Sequence, residues 1–141
     1  MTTEEVKTWL RSYGYLKNEA ERLEEELACW RSKAEKMTRE LSGMPSGSGG
    51  GDKLPACVEK IWELERELNA KLSKMVDQRK EIERVIEALP DKQKQLLRYR
   101  YIDGMKWEKV AVEMNIEYRW VLRIHGRALQ EICKLTIESH Y

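Results

Sequence analysis

Phenylalanine is absent from this 141-residue sequence, and aromatic residues of all kinds make up only 8% of it. Proline occurs three times and glycine eight times, with five of the glycines between Gly43 and Gly51. Helix-breaking residues are therefore scarce outside that short stretch. The three cysteines, Cys29, Cys57 and Cys133, are widely separated, odd in number and in no Cys-x-x-Cys pair. Neither a disulfide framework nor a zinc site follows from that pattern, which fits reduced thiols in a cytoplasmic protein. No apolar run approaches the roughly 18 residues of a membrane span. The opening MTTEEVKTWLRSYGY is charged and has no apolar centre of the signal-peptide kind. Also missing are a Gly-rich phosphate loop, a cluster of metal ligands and a nucleophile–base pair, so neither an enzyme nor a bound cofactor or metal is expected.

Neither sign of charge dominates, with 26 basic against 25 acidic residues. Charged residues nevertheless make up 36% of the chain, and Ala, Glu, Lys, Leu and Arg dominate its first ninety positions. This composition suits long helices or a coiled coil better than a thick globular core. The balance shifts along the chain. Residues 90–141 carry 10 basic and 7 acidic side chains, a net of +3, whereas 1–42 and 43–89 each carry 8 basic and 9 acidic. A modest basic excess in the last third is what a nucleic-acid contact would use if concentrated on one face.

Val6, Tyr13, Ala20, Leu27, Ala34 and Leu41 recur every seven residues. Trp9, Leu16, Leu23, Trp30, Met37 and Met44 repeat at the same period, offset by three. Alternating steps of three and four predict a long heptad-patterned helix over 1–42, with Thr2 and Glu5 spaced as a capping box. A loop is expected over 43–55, where Pro45 stops the helix and Gly and Ser follow. A second helix is expected over 56–89, with Leu54, Ile61, Leu68, Met75, Ile82 and Leu89 on a seven-residue repeat and Gln78 and Arg79 interrupting it. Two helices of similar length joined by a loop fold back most simply as an antiparallel hairpin. Trp9 would then lie towards the far end of the second helix. A pair buries one face of each helix, and a homodimer would complete a four-helix arrangement. The Glu24-Glu25-Glu26 run reads as a solvated face.

Residues 90–137 read differently. Pro90 starts a new helix, expected over Asp91–Ile102, with Leu96, Leu97, Tyr99 and Tyr101 as its candidates for burial and Asp103-Gly104 as its stop. A short helix follows over Lys106–Met114, with Trp107, Val110, Ala111 and Met114 on one face. Asn115 is the expected left-handed turn residue and Ile116 the apolar plug. The last helix is expected over Glu117–Leu135, with Val121, Ile124, Ala128, Leu129 and Ile132 inward. Helix, short turn and helix in this order form a helix-turn-helix, whose second helix enters the major groove of DNA. The full expectation is an all-α chain: a long antiparallel, coiled-coil-like helical hairpin followed by a three-helix helix-turn-helix module.

Residues pointing away from the inner stripe are the candidate DNA contacts: Tyr118, Arg119, Trp120, Leu122, Arg123 and Arg127. Arginine pairs bidentately with the guanine edge. Tyr118 suits a phosphate or a thymine methyl, and Arg127, one turn later, suits a phosphate. His125, beside Gly126, is expected at the surface or facing a phosphate.

The segment LPDKQKQLLRYRYIDGMKWEKVAVEMNIEYRWVLRIHGRAL, Leu89 to Leu129, resembles region four of bacterial sigma factors. The shared features are the leading Leu-Pro, Arg-Tyr-Ile-Asp-Gly, Val-Ala and Arg-Ala-Leu. Nearly the whole chain resembles a family of small sigma-factor-like proteins of Gram-positive phages and prophages. Its members have two long helices, a Gly/Ser-rich loop followed by Asp-Lys, and a C-terminal module similar to EYRWVLRIHGRAL. The resemblance implies a sequence-specific regulator of phage or prophage late genes, with double-stranded DNA as its partner and contact to RNA polymerase as a further one. It also implies that the Gly/Ser run is native. Glu117 and Lys106 stand where sigma factors usually have Ser or Thr caps, and Leu122 stands where they often have Arg. Nothing resembles the region that melts promoters, which speaks against a stand-alone initiation factor. Two alternatives are a phage DNA-packaging component of the small-terminase kind and a polymerase-binding protein that does not touch DNA.

Overall fold

The computed structural model describes residues 1–43 and 53–138. Among these residues the chain is helical almost throughout and contains no strand. Five α-helices follow in order: α1 (Thr3–Gly43), α2 (Lys53–Glu87), α3 (Asp91–Leu97), α4 (Trp107–Met114) and α5 (Tyr118–Glu138). The loop expected between α1 and α2 lies outside the described residues from Met44 to Asp52, including the helix stop at Pro45. The heptad positions Met44 and the side chain of Leu41 lie outside them as well.

Local chemistry explains most of the helix boundaries. The Glu5 amide donates to Thr2 Oγ1 at 3.2 Å, so the amide-capping half of the expected box is formed. α2 begins at Lys53, three residues before the expected Ala56. Pro55 is tolerated there because a first-turn residue has no intrahelical use for its N–H. α2 ends at Glu87 with two tightened i→i+3 bonds, Ala88 N–H to Val85 O at 3.3 Å and Leu89 N–H to Ile86 O at 2.9 Å. Pro90 follows with an extended ψ of 150° and starts α3.

The helix expected over Asp91–Ile102 is not uniform. It is α-helical to Leu97 and then widens into a π-helical turn over Arg98–Ile102, where the Asp103 amide reaches back five residues to Arg98 O at 2.9 Å. Burial accounts for the change. Leu96, Leu97, Tyr101 and Ile102 are all buried, and two adjacent pairs five residues apart cannot share one face at 3.6 residues per turn. Ile102 is buried, whereas Tyr99, expected in the core, is only half-buried against it. Gly104, with φ +70°, turns the chain out of this segment.

The chain forms two compact units. One comprises residues 1–16 with 75–141, the other residues 17–74. In the first, sixteen buried hydrophobic side chains form one cluster. α1 contributes Val6, Leu10 and Tyr13, α2 contributes Ile82 and Ile86, and the remainder come from Leu89 through Ile132. Gln78 does not merely interrupt the seam of α2. Its amide donates to the Trp9 carbonyl at 3.2 Å and to Ser12 Oγ at 2.6 Å, a polar pairing of the kind that fixes register between helices. Arg98 holds α3 and its π turn to α2 through Glu83 at 2.8 Å and Glu87 at 3.2 Å. Lys94 joins Glu87 at 3.1 Å and holds that carboxyl below its usual range, chiefly through its hydrogen bond.

The unit of residues 17–74 is thinner. Among the described residues, its buried hydrophobic side chains are Ala20, Leu27, Cys57 and Leu64. Cys57 Sγ donates to the Trp30 carbonyl at 3.5 Å. At its edge Arg31 pairs with Glu65 at 3.0 Å and Lys71 pairs with Glu19. Glu24, Glu25 and Glu26 are exposed.

Candidate nucleic-acid interface

The connection between α4 and α5 sets the direction of α5. α4 ends on Asn115, whose φ and ψ of 55° and 46° are left-handed. The Ile116 amide then bonds back to Ala111 O at 3.1 Å, the closing bond of a Schellman turn. Ile116 packs against the core behind it. A left-handed residue followed by an apolar plug gives a short turn with little freedom. α4 has no side-chain cap at Lys106. α5 starts after Glu117, whose carboxylate takes Arg119 Nε at 3.1 Å.

One face of α5 is anchored. Val121, Ala128, Leu129 and Ile132 are buried and Ile124 is half-buried. His125 belongs to this inner stripe, which corrects the expectation of a surface or phosphate-facing histidine. It is 7% exposed, shares a 2.7 Å hydrogen bond through Nε2 with the Tyr101 hydroxyl, and meets the Trp107 ring edge-on at 4.6 Å. Burial, with smaller contributions from Lys7, Arg100 and Arg11, lowers its pKa to about 4. The imidazole is therefore neutral near pH 7, and it supports the helix instead of contacting an anion. The spacing 121, 125, 128, 132 carried this information, because each step is three or four residues. Arg100 closes the cluster from outside, stacked 4.5 Å from the Trp107 ring and donating to the Met105 carbonyl at 3.0 Å.

The opposite face is basic. Arg119, Arg123 and Arg127 are exposed and follow at intervals of four, so they stand above one another on the helix. Tyr118, Trp120 and Leu122 are exposed beside them. Arg123 lies 4.8 Å from the Trp120 ring centroid, a cation–π contact that limits the guanidinium's freedom before any ligand arrives. Arg127 has no ion-pair partner among the described residues, while Arg119 is shared with Glu117. The six candidate contacts from Tyr118 to Arg127 thus all lie on the solvent side of one helix. Gln130 and Lys134 extend the same face. Val112, 76% exposed on α4, is a large apolar side chain in solvent that periodicity did not single out.

Gly126 also lies on this outer side, one turn beyond Arg123 and one turn before Gln130. A Cβ built there meets nothing within 4 Å, and its φ is an ordinary helical one. Neither packing nor backbone conformation requires a glycine, which costs a helix interior about 0.5–1 kcal/mol relative to alanine.

Other chemistry is sparse. Among the described residues no group of three or more His, Cys, Asp or Glu could hold a metal ion. No described helix is long and apolar enough to cross a membrane. Cys29 is exposed, Cys57 buried and Cys133 half-buried, all as free thiols. No curated protein and no solved structure matches the chain. A family model matches residues 10–134, nearly the whole of it, and the chain belongs to that family, described as "Protein of unknown function (DUF722)".

Proposed function

We propose that this chain is a sequence-specific regulator of transcription that binds double-stranded DNA, of the kind found at phage or prophage late genes. α4 and α5 serve as a helix-turn-helix resembling sigma region four, with the N-terminal half of α5 as the reading element. The observation that carries this reading is the outer face of α5. Arg119, Arg123 and Arg127 stand in line there, and Arg123 is already oriented on Trp120. On the buried side of the same helix His125 and the apolar stripe hold it in place. An arginine held on an aromatic ring, on a helix fixed from behind, suits a bidentate contact to a guanine edge.

α1 and α2 are read as an antiparallel hairpin, supported by the pairs Glu19–Lys71 and Arg31–Glu65, in which rising residue numbers on α1 meet falling ones on α2. Two copies joined through this hairpin would present two readers to a two-fold-related operator. The few buried side chains of residues 17–74, together with Trp62 at 61% exposure, favour a second copy there over a closed monomer.

One experiment tests the reading. Duplexes selected by the chain from a random pool are titrated with the wild type, Arg119→Ala and Arg123→Ala, and the mass of the complex is measured. Loss of a bidentate contact is worth about 1–3 kcal/mol, so each variant is expected to bind about fivefold or more weakly and to relax the preferred sequence. The complex is expected to hold two chains per duplex. Unchanged affinity and preference in both variants would sink the proposal. A large ring in place of two chains would favour the DNA-packaging alternative.

A further inference from the structure

Gly126 stands on the basic face of α5 for no reason internal to the fold. Its Cβ position is empty, its backbone is ordinary, and the surrounding outer residues, Arg123, Arg127 and Gln130, are exposed. A glycine inside a helix permits another chain to approach the helix axis more closely than a methyl group would allow. The charges around it identify what approaches. Arg123 and Arg127 flank the position, Gln130 lies one turn on, and the nearest acidic group on the later part of the face, Glu131, is paired with Lys134 at 3.6 Å.

Resting on the DNA-binding reading above, we infer that Gly126 is the point where a sugar–phosphate strand of duplex DNA crosses α5. The strand lies against the bare backbone of the helix at this position. Arg127 and Gln130 hold its phosphates, and Arg123 reaches past it towards the base edges. Phosphate contacts of this sort fix the depth and register of a reading helix without carrying sequence information. Gly126 therefore sets how far α5 enters the groove, and the arginines in front of it read what that depth allows. The solvent-facing setting has a second consequence. A Cβ added at 126 meets no protein atom within 4 Å, so the effects of a methyl group there on stability and on DNA binding should have opposite signs.

The test uses the full chain with a 30-base-pair random-sequence duplex at low salt and with the selected duplex. The variants are Gly126→Ala, Gly126→Leu, Arg123→Ala and Arg127→Ala. Gly126→Ala is expected to raise the melting temperature by about 3 °C, as removal of a helical glycine does, and to weaken binding to both duplexes at least threefold. Gly126→Leu is expected to stay folded and to weaken binding more than tenfold. Arg127→Ala should lower the dependence of log affinity on log salt by about one phosphate contact. If Arg123→Ala is impaired while both Gly126 variants bind within twofold of the wild type, this inference falls and the DNA reading stands. If the wild type itself binds neither duplex, both fall together.

Discussion

The two compact units are both helical among the described residues and yet differ in kind. Residues 1–16 with 75–141 gather sixteen buried hydrophobic side chains into one cluster. Among the described residues, 17–74 bury four, two of them no larger than Ala20 and Cys57. Part of the difference lies in how many helices meet. A helix that packs against several others can bury more than one stripe, whereas one that faces a single partner buries only the seam. α1 itself illustrates this. Near its start Val6, Leu10 and Tyr13 are all fully or nearly buried, but among the described side chains from Lys17 to Glu40 only Ala20 and Leu27 are. Burial of apolar area is the main source of stability, so the smaller unit is expected to open first under stress.

The largest expected effect comes from truncating each core in turn. Leu97→Ala, in the larger unit, should cost about 3–4 kcal/mol, in the middle of the range for a fully buried leucine with several neighbours. Leu64→Ala, in the smaller unit, should cost about 2 kcal/mol, because a two-helix layer closes over a missing side chain more easily. Urea denaturation followed by hydrogen exchange of each segment measures both. Equal costs, or slower exchange in 17–74 than in the larger unit, would break the comparison.

Acid should distinguish the units next. His125 has its pKa lowered to about 4 by burial, against about 6.5 in an unfolded chain. The unfolded state therefore binds the extra proton first as pH falls. Stability contributed by the neutral imidazole is fully present above pH 6.5, falls between 6.5 and 4, and is gone below about 4. Over that window the loss is about 3 kcal/mol. His125→Gln should flatten this part of the profile in the larger unit and leave the exchange of residues 17–74 unaltered. A wild-type profile with the same slope as the variant's between pH 6.5 and 4.5 would show that His125 is not held neutral.

The smallest effect is expected at the surface of the thinner unit. Arg31 and Glu65 meet at 3.0 Å with both side chains substantially exposed, and such pairs contribute about 0.5 kcal/mol or less. Arg31→Ala should shift the denaturation midpoint of residues 17–74 slightly at low ionic strength and not at all in 1 M salt, where exposed charges are screened. A salt-independent loss would mean that the stem of Arg31 packs on the seam.

Much of the helical architecture was legible because it depends on periodicity. In the first seven-residue series Val6, Tyr13, Ala20 and Leu27 are buried and Ala34 is half-buried, whereas Trp9, Leu16, Leu23, Trp30 and Met37 of the second are half-buried. Asn115 and Gly104 have the positive φ that their types suggest. The departures have identifiable causes. Leu10 is buried although it stands outside the heptad seam, because the start of α1 packs against more than one neighbour. The π turn departs from a period of 3.6 because Leu96-Leu97 and Tyr101-Ile102 are buried together at a step of five. Gln78 read as a break in a stripe, since no sequence pattern says that Trp9 O and Ser12 Oγ wait opposite. His125 reads as a surface residue by type, whereas its spacing places it inward, where it is buried. At the candidate interface, the outward set from Tyr118 to Arg127 followed from the inner stripe alone. The stacking of Arg123 on Trp120 and the open space over Gly126 depend on rotamers and neighbours, and these are three-dimensional facts.

The larger unit is discontinuous in the chain, with residues 1–16 on one side of the intervening segment and 75–141 on the other. This has a consequence for the order of synthesis. Val6 and Leu10 leave the ribosome long before Ile132, yet the core that buries them is complete only once Ile132 has followed. Until then the N-terminal end of α1 carries exposed apolar surface. Closing so long a loop is entropically costly, although the cost grows only with the logarithm of its length. The ion pair between Glu19 and Lys71 lies near both ends of the intervening segment. If residues 17–74 pair early, they bring the two halves of the larger unit within reach of each other and act as a clasp. The least stable part of the molecule would then be the part that makes folding of the rest fast.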